Sequence, residues 1–291
     1  MRAIGTILCP IDFTPVSERE LALGAQLAER LGAALVLQHS LPVGSGLGVS
    51  WMHEKEHHDA DRAKEAAGRA RVSEMLAALP PAVRANARGA LTYGTLDHCV
   101  QSLAEQIGAD LIVIGTHGRS DPDHPSETER LITQALCPVL TLRDDAPHEW
   151  LPALGGGAGA ERRINTLVPV DFSDHAVRAL RYGLDLAEHL PLDVTAVYVS
   201  QRADRETDWA EQQLAKAVPG RRAAFKLALL HGEPVDTILR EEDFLEARLV
   251  VMGAHARGLL GRVLSRRTPT AQEVLRASLC PVWFVPAAAR L

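Results

Sequence analysis

At 291 residues, 46% of them hydrophobic, the chain is long enough for two domains of ordinary size with real cores. Aromatic residues are only 4%, so aliphatic side chains must fill those cores, which suits sheet-against-helix packing. A net charge of −6 excludes a general attraction to nucleic acid or anionic membrane, and no apolar run approaches the length of about 18 residues that would span a bilayer.

The N-terminus runs directly into a short apolar stretch, Ile7–Ile11, closed by Asp12, which is too short for a secretion signal and predicts a buried strand. Residues Ser17–Leu31 carry apolar side chains at helical spacing, with Leu21, Leu23, Ala28 and Leu31 inward. A strand follows at Ala34–His39, then a long charged helical stretch over Val49–Leu79 and a strand at Ala87–Thr92. A helix over Leu96–Ile107, an apolar strand at Leu111–Ile114, a helix over Thr128–Ala135 and a strand at Val139–Leu142 close the first half. Such alternation implies parallel strands with helices on both faces. In sheets of that kind ligands sit outside the carboxyl ends of the strands, at a switch point.

Residues 144–162 contain Pro147, Pro152 and the run Leu154-Gly155-Gly156-Gly157-Ala158-Gly159, with no apolar period. They read as a flexible linker, in which Trp150 and Leu151 could instead dock on a domain surface. Beyond the linker the chain repeats itself. Leu8-Cys9-Pro10-Ile11-Asp12-Phe13-Thr14 returns as Leu167-Val168-Pro169-Val170-Asp171-Phe172-Ser173, at an offset of 159. Tyr93-Gly94 returns as His231-Gly232, and Leu111–His117 as Leu249–His255, at an offset of 138. Cys137-Pro138-Val139 returns as Cys280-Pro281-Val282. The chain is therefore a tandem duplication, with domains at 1–143 and 163–291 and an insertion of 21 residues in the middle of the first copy.

Three blocks carry a resemblance: Pro10–Thr14, Gly108–Ser120 with its Gly115-Thr116-His117-Gly118-Arg119-Ser120 run, and Cys137–Leu140. Together with Pro169–Ser173, Gly253-Ala254-His255 and Cys280-Pro281-Val282, they are similar to the universal stress protein family in both copies. The resemblance implies an α/β fold of two Rossmann-like (adenine nucleotide alpha hydrolase-like) parallel-sheet domains in tandem. It also implies ATP, with Mg, as a ligand. ATP-binding members use an Asp after the first strand for the nucleoside. Their phosphate loop has the form Gly, two residues, Gly, nine residues, then Gly-Ser or Gly-Thr. Glycines let backbone approach phosphate oxygens, and N–H groups at a helix N-terminus supply the positive concavity.

Carried over, the first copy offers Asp12, Gly115, His117, Gly118 and Ser126, with His39 and Leu41 at the end of the second strand lining the pocket. The second copy offers Asp171, Gly253 and Arg257. Both loops depart from the pattern. In the first, Pro125 stands where the last glycine belongs and has no N–H to give, only six residues (119–124) intervene, and Asp121 and Asp123 repel phosphate. Ser126 can still cap the next helix, in a capping box with Glu129. In the second, Ala256 replaces a glycine and Thr268-Pro269 close the loop, but Arg257, Arg262, Arg266 and Arg267 could bind an anion through side chains. Asp12 and Asp171 also read as plain turn formers, and His117 and His255 as residues packed beside the sheet edge.

His53-Glu54-Lys55-Glu56-His57 matches a zinc-binding helical pattern. It lies in the inserted segment, has no metalloprotease continuation, and reads as a solvated charged face, so no metal ligand is assigned beyond the candidates His53 and His57. The cysteines Cys9, Cys99, Cys137 and Cys280 are far apart in sequence, which suits thiols in a reducing cytoplasm, and Cys137 and Cys280 should be buried. The expected function is a cytoplasmic stress-response protein that binds ATP or another anionic small molecule in one domain and acts through conformation or partner binding. No catalytic residue is assigned. A slow ATPase or self-phosphorylating protein, with Thr116, Ser120 and Ser126 as hydroxyl donors, is one alternative. A lipid or metal sensor, with Trp51 and Met52 over an apolar pocket, is another. The expected partner list holds no nucleic acid and no membrane. It holds an internal pseudo-dimer paired through the apolar edges Val139–Leu142 and Val282–Val285, and a possible homodimer beyond it.

Overall fold

Apolar strands that must be buried on both faces set the architecture. A computed structural model of the chain describes residues 4–42, 54–116, 126–143, 163–200, 206–254 and 270–289. Contacts divide it into two units, Ile4–Ile114 and Gly115–Leu291.

The first unit contains β1 (Thr6–Pro10), α1 (Pro15–Leu31), β2 (Ala34–Leu41), α2 (Glu54–Ala78), α3 (Pro81–Arg84), β3 (Ala87–Tyr93), α4 (Leu96–Ile107) and most of β4 (Leu111–Thr116). Its strands lie in the order β3-β2-β1-β4, all parallel. Ile7, Leu8 and Cys9 are fully buried, as a strand covered by helices requires. Helix α1 starts on a capping box between Thr14 and Ser17, has Pro15 in its first turn, and stops at Gly32, whose φ of 65° a side chain would resist. Gly24 lets α1 lie close on β1: a Cβ there would stand 2.4 Å from Cys9 Sγ. Of the long helix expected over Val49–Leu79, the part from Glu54 is present and residues 43–53 lie outside the described residues.

The second unit holds α5 (Glu127–Gln134), β5 (Val139–Arg143), β6 (Ile164–Pro169), α6 (Asp174–Leu186), β7 (Leu192–Ser200), α7 (Glu206–Ala217), β8 (Lys226–His231), α8 (Pro234–Phe244), β9 (Leu249–Ala254), α9 (Thr270–Ala277) and β10 (Val282–Pro286). Its order is β5-β10-β9-β6-β7-β8. The five strands from β6 onward are parallel, while β5 joins β10 antiparallel, with Val139 opposite Phe284, Leu140 opposite Trp283 and Thr141 opposite Val282. The two apolar last strands therefore pair with each other, as their sequences predict.

This seam is tightly packed. Trp283, Phe284, Val139 and Leu140 are buried to 1% exposure or less. Above it, the Glu129 carboxylate on α5 meets the Arg276 guanidinium on α9 at 2.8 Å, with the Glu129 side chain 1% exposed. Arg143 in turn donates to the Arg276 carbonyl at 2.5 Å. Removing one partner of a buried ion pair costs about 3–5 kcal/mol, because the other charge is left unpaired. No described helix is long and apolar enough to cross a membrane. Truncation of the seam's largest side chain, Trp283→Ala, should lower the unfolding free energy by about 3–5 kcal/mol in urea denaturation, and a loss below about 1 kcal/mol would contradict this packing.

Candidate ligand site

The turn after β1 is built by one carboxylate oxygen. Asp12 Oδ1 accepts from the Thr14 N–H at 3.0 Å, from the Thr14 hydroxyl at 2.6 Å and from the Ser17 hydroxyl. This is an Asx turn leading straight into the capping box of α1. The turn forces Phe13 to a φ of 65°, a left-handed conformation that costs a bulky residue about 1–2 kcal/mol. The Phe13 ring then lies 4.2 Å from the His39 ring, centroid to centroid. His39 Nδ1 stands 2.8 Å from the Ile11 carbonyl, and a carbonyl only accepts, so Nδ1 carries the proton. Gly68 of α2 closes another side of the imidazole: a Cβ there would meet His39 Cδ2 at 3.3 Å. Leu41 is buried, and its carbonyl accepts from the Gly94 N–H.

Beside His39 on β2 sits a residue that motif reasoning missed. Gln38 is fully buried and donates through Nε2 to the Ser40 and Thr92 hydroxyls at 2.7 and 2.5 Å, while its Oε1 has no hydrogen-bond partner. The signal was a single amide inside the apolar strand Ala34–Leu41.

The second copy repeats the turn. Asp171 Oδ1 accepts from the Ser173 N–H at 3.0 Å and its hydroxyl at 2.5 Å, Ser173 caps α6, and Phe172 takes a φ of 61°. Phe172 here joins a ring cluster, 5.0 Å from both Tyr198 of β7 and Trp209 of α7. Trp209 remains 43% exposed. Asp171 follows β6 and Gly253 lies near the carboxyl end of its neighbour β9, where the strand order of this copy reverses. Gly253 has a packing reason to be glycine: a Cβ would stand 2.6 Å from the His175 carbonyl oxygen in the first turn of α6.

The predicted site residues thus fall into three groups. Asp12, His39 and Leu41 share the first unit, whereas Gly115 and Ser126 belong to the second, as do Asp171 and Gly253. His117, Gly118, Arg257 and the rest of both loops lie outside the described residues, as do His53 and the His57 side chain. Gly115 is the last residue but one of β4, and its carbonyl accepts from the Thr128 hydroxyl. The Ser126 hydroxyl accepts from the Glu129 N–H at 3.1 Å, and the Ser126 N–H donates to Glu129 Oε2 at 3.0 Å, so the foreseen capping box is formed. Glu127 and Glu129 occupy the first turn of α5, where their charge already serves the positive end of that helix.

Among the described residues no cluster of three or more His, Cys, Asp or Glu could hold a metal ion. No disulfide joins the four cysteines. Cys137 is buried as expected, but Cys280 is half-buried, because it opens onto a cleft beside α8. Burial first, and the Glu242 carboxylate second, push the Cys280 thiol up, and burial does the same to Cys9, so both stay protonated and unreactive near neutral pH. Gly253→Ala should destabilise the protein by about 1–3 kcal/mol through its clash with the start of α6, read as a lowered midpoint in urea; an unchanged midpoint would contradict the close approach.

Comparison with known proteins agrees with this architecture. A universal stress protein from Archaeoglobus fulgidus DSM 4304 superposes with a TM-score of 0.68 at 18% identity, covering 97% of this chain and 96% of its own. A candidate universal stress protein from Pseudomonas aeruginosa UCBPP-PA14 gives 0.56 at 19% identity, covering 98% and 94%. At these identities the likeness concerns the fold. No curated protein matches the chain. The sequence model of the Universal stress protein family matches residues 3–143 and again 164–286. The chain belongs to the universal stress protein family and carries that family's domain twice in tandem.

Proposed function

We propose that this tandem universal stress protein binds ATP or another anionic metabolite in its first domain and acts through conformation or partner binding rather than turnover. One observation carries the reading. The exposed Asp12 carboxylate at the carboxyl end of β1 is held on a strained turn, beside an imidazole fixed on several sides. Strain of this kind persists where the surrounding structure over-determines it and clusters at functional sites, and here it is kept in both copies. An ionised carboxylate accepts hydrogen bonds from ribose hydroxyls, and the Phe13–His39 pair offers an aromatic edge to a base. The fixed imidazole of His39 favours the first copy, since Tyr198 holds the matching register position on β7.

Asp12, Phe13 and His39 are the residues this reading assigns to the nucleoside end. Mg would accompany the phosphates of a bound ATP and neutralise their charge. The cysteines, without a disulfide, support a reducing, cytoplasmic setting. The second domain favours a different ligand. Its Phe172–Tyr198–Trp209 cluster offers a wider ring surface in place of a fixed imidazole, which suits a more apolar molecule.

Calorimetric titration of the full chain with Mg-ATP tests the assignment. Asp12→Ala should weaken binding by about tenfold or more, the equivalent of about 1.4 kcal/mol, and Asp171→Ala by less than about threefold. Absence of binding in the unaltered protein, or equal losses in the two variants, would overturn it.

A further inference from the structure

At the other end of the second domain's sheet, before the amino ends of β9 and β10, lies a cleft of ≈ 660 Å³. That volume is in the range of small-molecule sites. Leu239, Leu279 and Pro281 line it with apolar surface, Glu242, Asp243 and Glu246 with carboxylates, and Arg248 with a single guanidinium, so the acids outnumber the base three to one. Glu242 is 7% exposed. Its Oε1 accepts from the Leu279 and Cys280 N–H groups at 3.0 and 3.1 Å, and its Oε2 is buried without a hydrogen-bond partner. A buried carboxylate oxygen left without a donor is costly unless something supplies one.

The helices around the cleft add to its negative character. Both α8 and α9 end at it, and helix C-termini carry partial negative charge. The last turn of α8 holds Glu241, Glu242 and Asp243 and no basic residue, the reverse of what a helix end favours. Glu246 stands just beyond at a φ of 47°.

The first copy shows that the fold does not need these acids. The Ala109 N–H bonds the Ala104 carbonyl as the Ala247 N–H bonds the Glu242 carbonyl, both at 2.8 Å, so the two helix ends correspond. Where the second copy has Glu242 and Glu246, the first has Ala104 and Gly108, the latter at a φ of 62° that glycine accepts without strain. A local rule broken in one copy and respected in the other marks a functional position.

We propose that this cleft binds a small organic cation, an ammonium group carried on an apolar stem, with Glu242 receiving the ammonium and Leu239, Leu279 and Pro281 receiving the stem. A bare metal ion does not fit, because no cluster of ligands converges among the described residues. The site is separate from the carboxyl-end turns at Asp12 and Asp171, and it does not depend on the nucleotide reading.

Titration of the full chain with hexylammonium chloride, and in parallel with sodium hexanoate, tests it. Hexylammonium should bind near one per chain, hexanoate should not, and saturating Mg-ATP should leave the affinity unchanged. Glu242→Gln keeps an oxygen for the two N–H groups and removes the charge, so it should weaken hexylammonium by about tenfold or more. Ala277→Trp places a ring at the exposed end of α9 beside the cleft and should block binding without touching the core, which keeps the test decisive if Glu242→Gln does not fold. No hexylammonium binding, equal binding of hexanoate, or binding that survives the substitutions would overturn the proposal.

Discussion

An apolar edge strand must be covered, and most of the second unit follows from how β5 and β10 meet that requirement together. Left open, Val139–Arg143 would present unpaired backbone groups and buried-type side chains to water. Pairing with β10 closes the ladder and sets Leu140 against Trp283. It also explains why the contact division falls between Ile114 and Gly115, although the duplicated sequence changes copy after residue 143: α5 and β5 pack on β10. The Glu129–Arg276 pair then ties the first turn of α5 to the last turn of α9. Glu129 thereby serves two purposes, since its second oxygen holds the Ser126 N–H.

Much of this was legible in the sequence. Apart from the short α3, which no pattern announced, the described strands and helices of the first copy stand close to where the sequence predicts them, with Leu96–Ile107 matching to the residue. The Ser126 capping box was readable because both members lie within one helical turn. The apolar character of Val139–Leu142 and Val282–Val285 pointed to their pairing. What stayed hidden depends on contacts between distant residues. Arg276 reaches Glu129 across 147 positions, a link that no local pattern contains. Gly253 looked like a phosphate-loop glycine, but the backbone of α6 standing beside β9 gives it a packing role. The left-handed Phe13 and Phe172 were invisible because nothing in their residue type announces a positive φ. The Gln38 acceptor emerged only once its neighbours Ser40 and Thr92 were placed in register.

Duplication has let the two copies drift in chemically different directions on one scaffold. The shared parts are the Asp turn and the strained aromatic, whereas the close helix crossing at Gly24 has relaxed to ordinary contact distance at Gly183 in the second copy. The divergent parts sit at the ends of the sheet. At the carboxyl end, Gln38 and His39 face a copy with Val197 and Tyr198 in register. At the amino end, Ala104 and Gly108 face Glu242 and Glu246. Core packing constrains the middle of each strand, so change accumulates at the strand ends, where fewer neighbours fix each side chain.

The seam is the part of this account on which the rest leans, and native-state hydrogen exchange of the full chain reads it directly. The amides of Val139–Arg143 that face β10 should exchange as slowly as those of Val250 and Val251 in the interior strand β9, since both sets lie in closed ladders. Fast exchange across Val139–Arg143, at the rate of an uncovered edge strand, with β9 still protected, would contradict the pairing of the two copies' last strands.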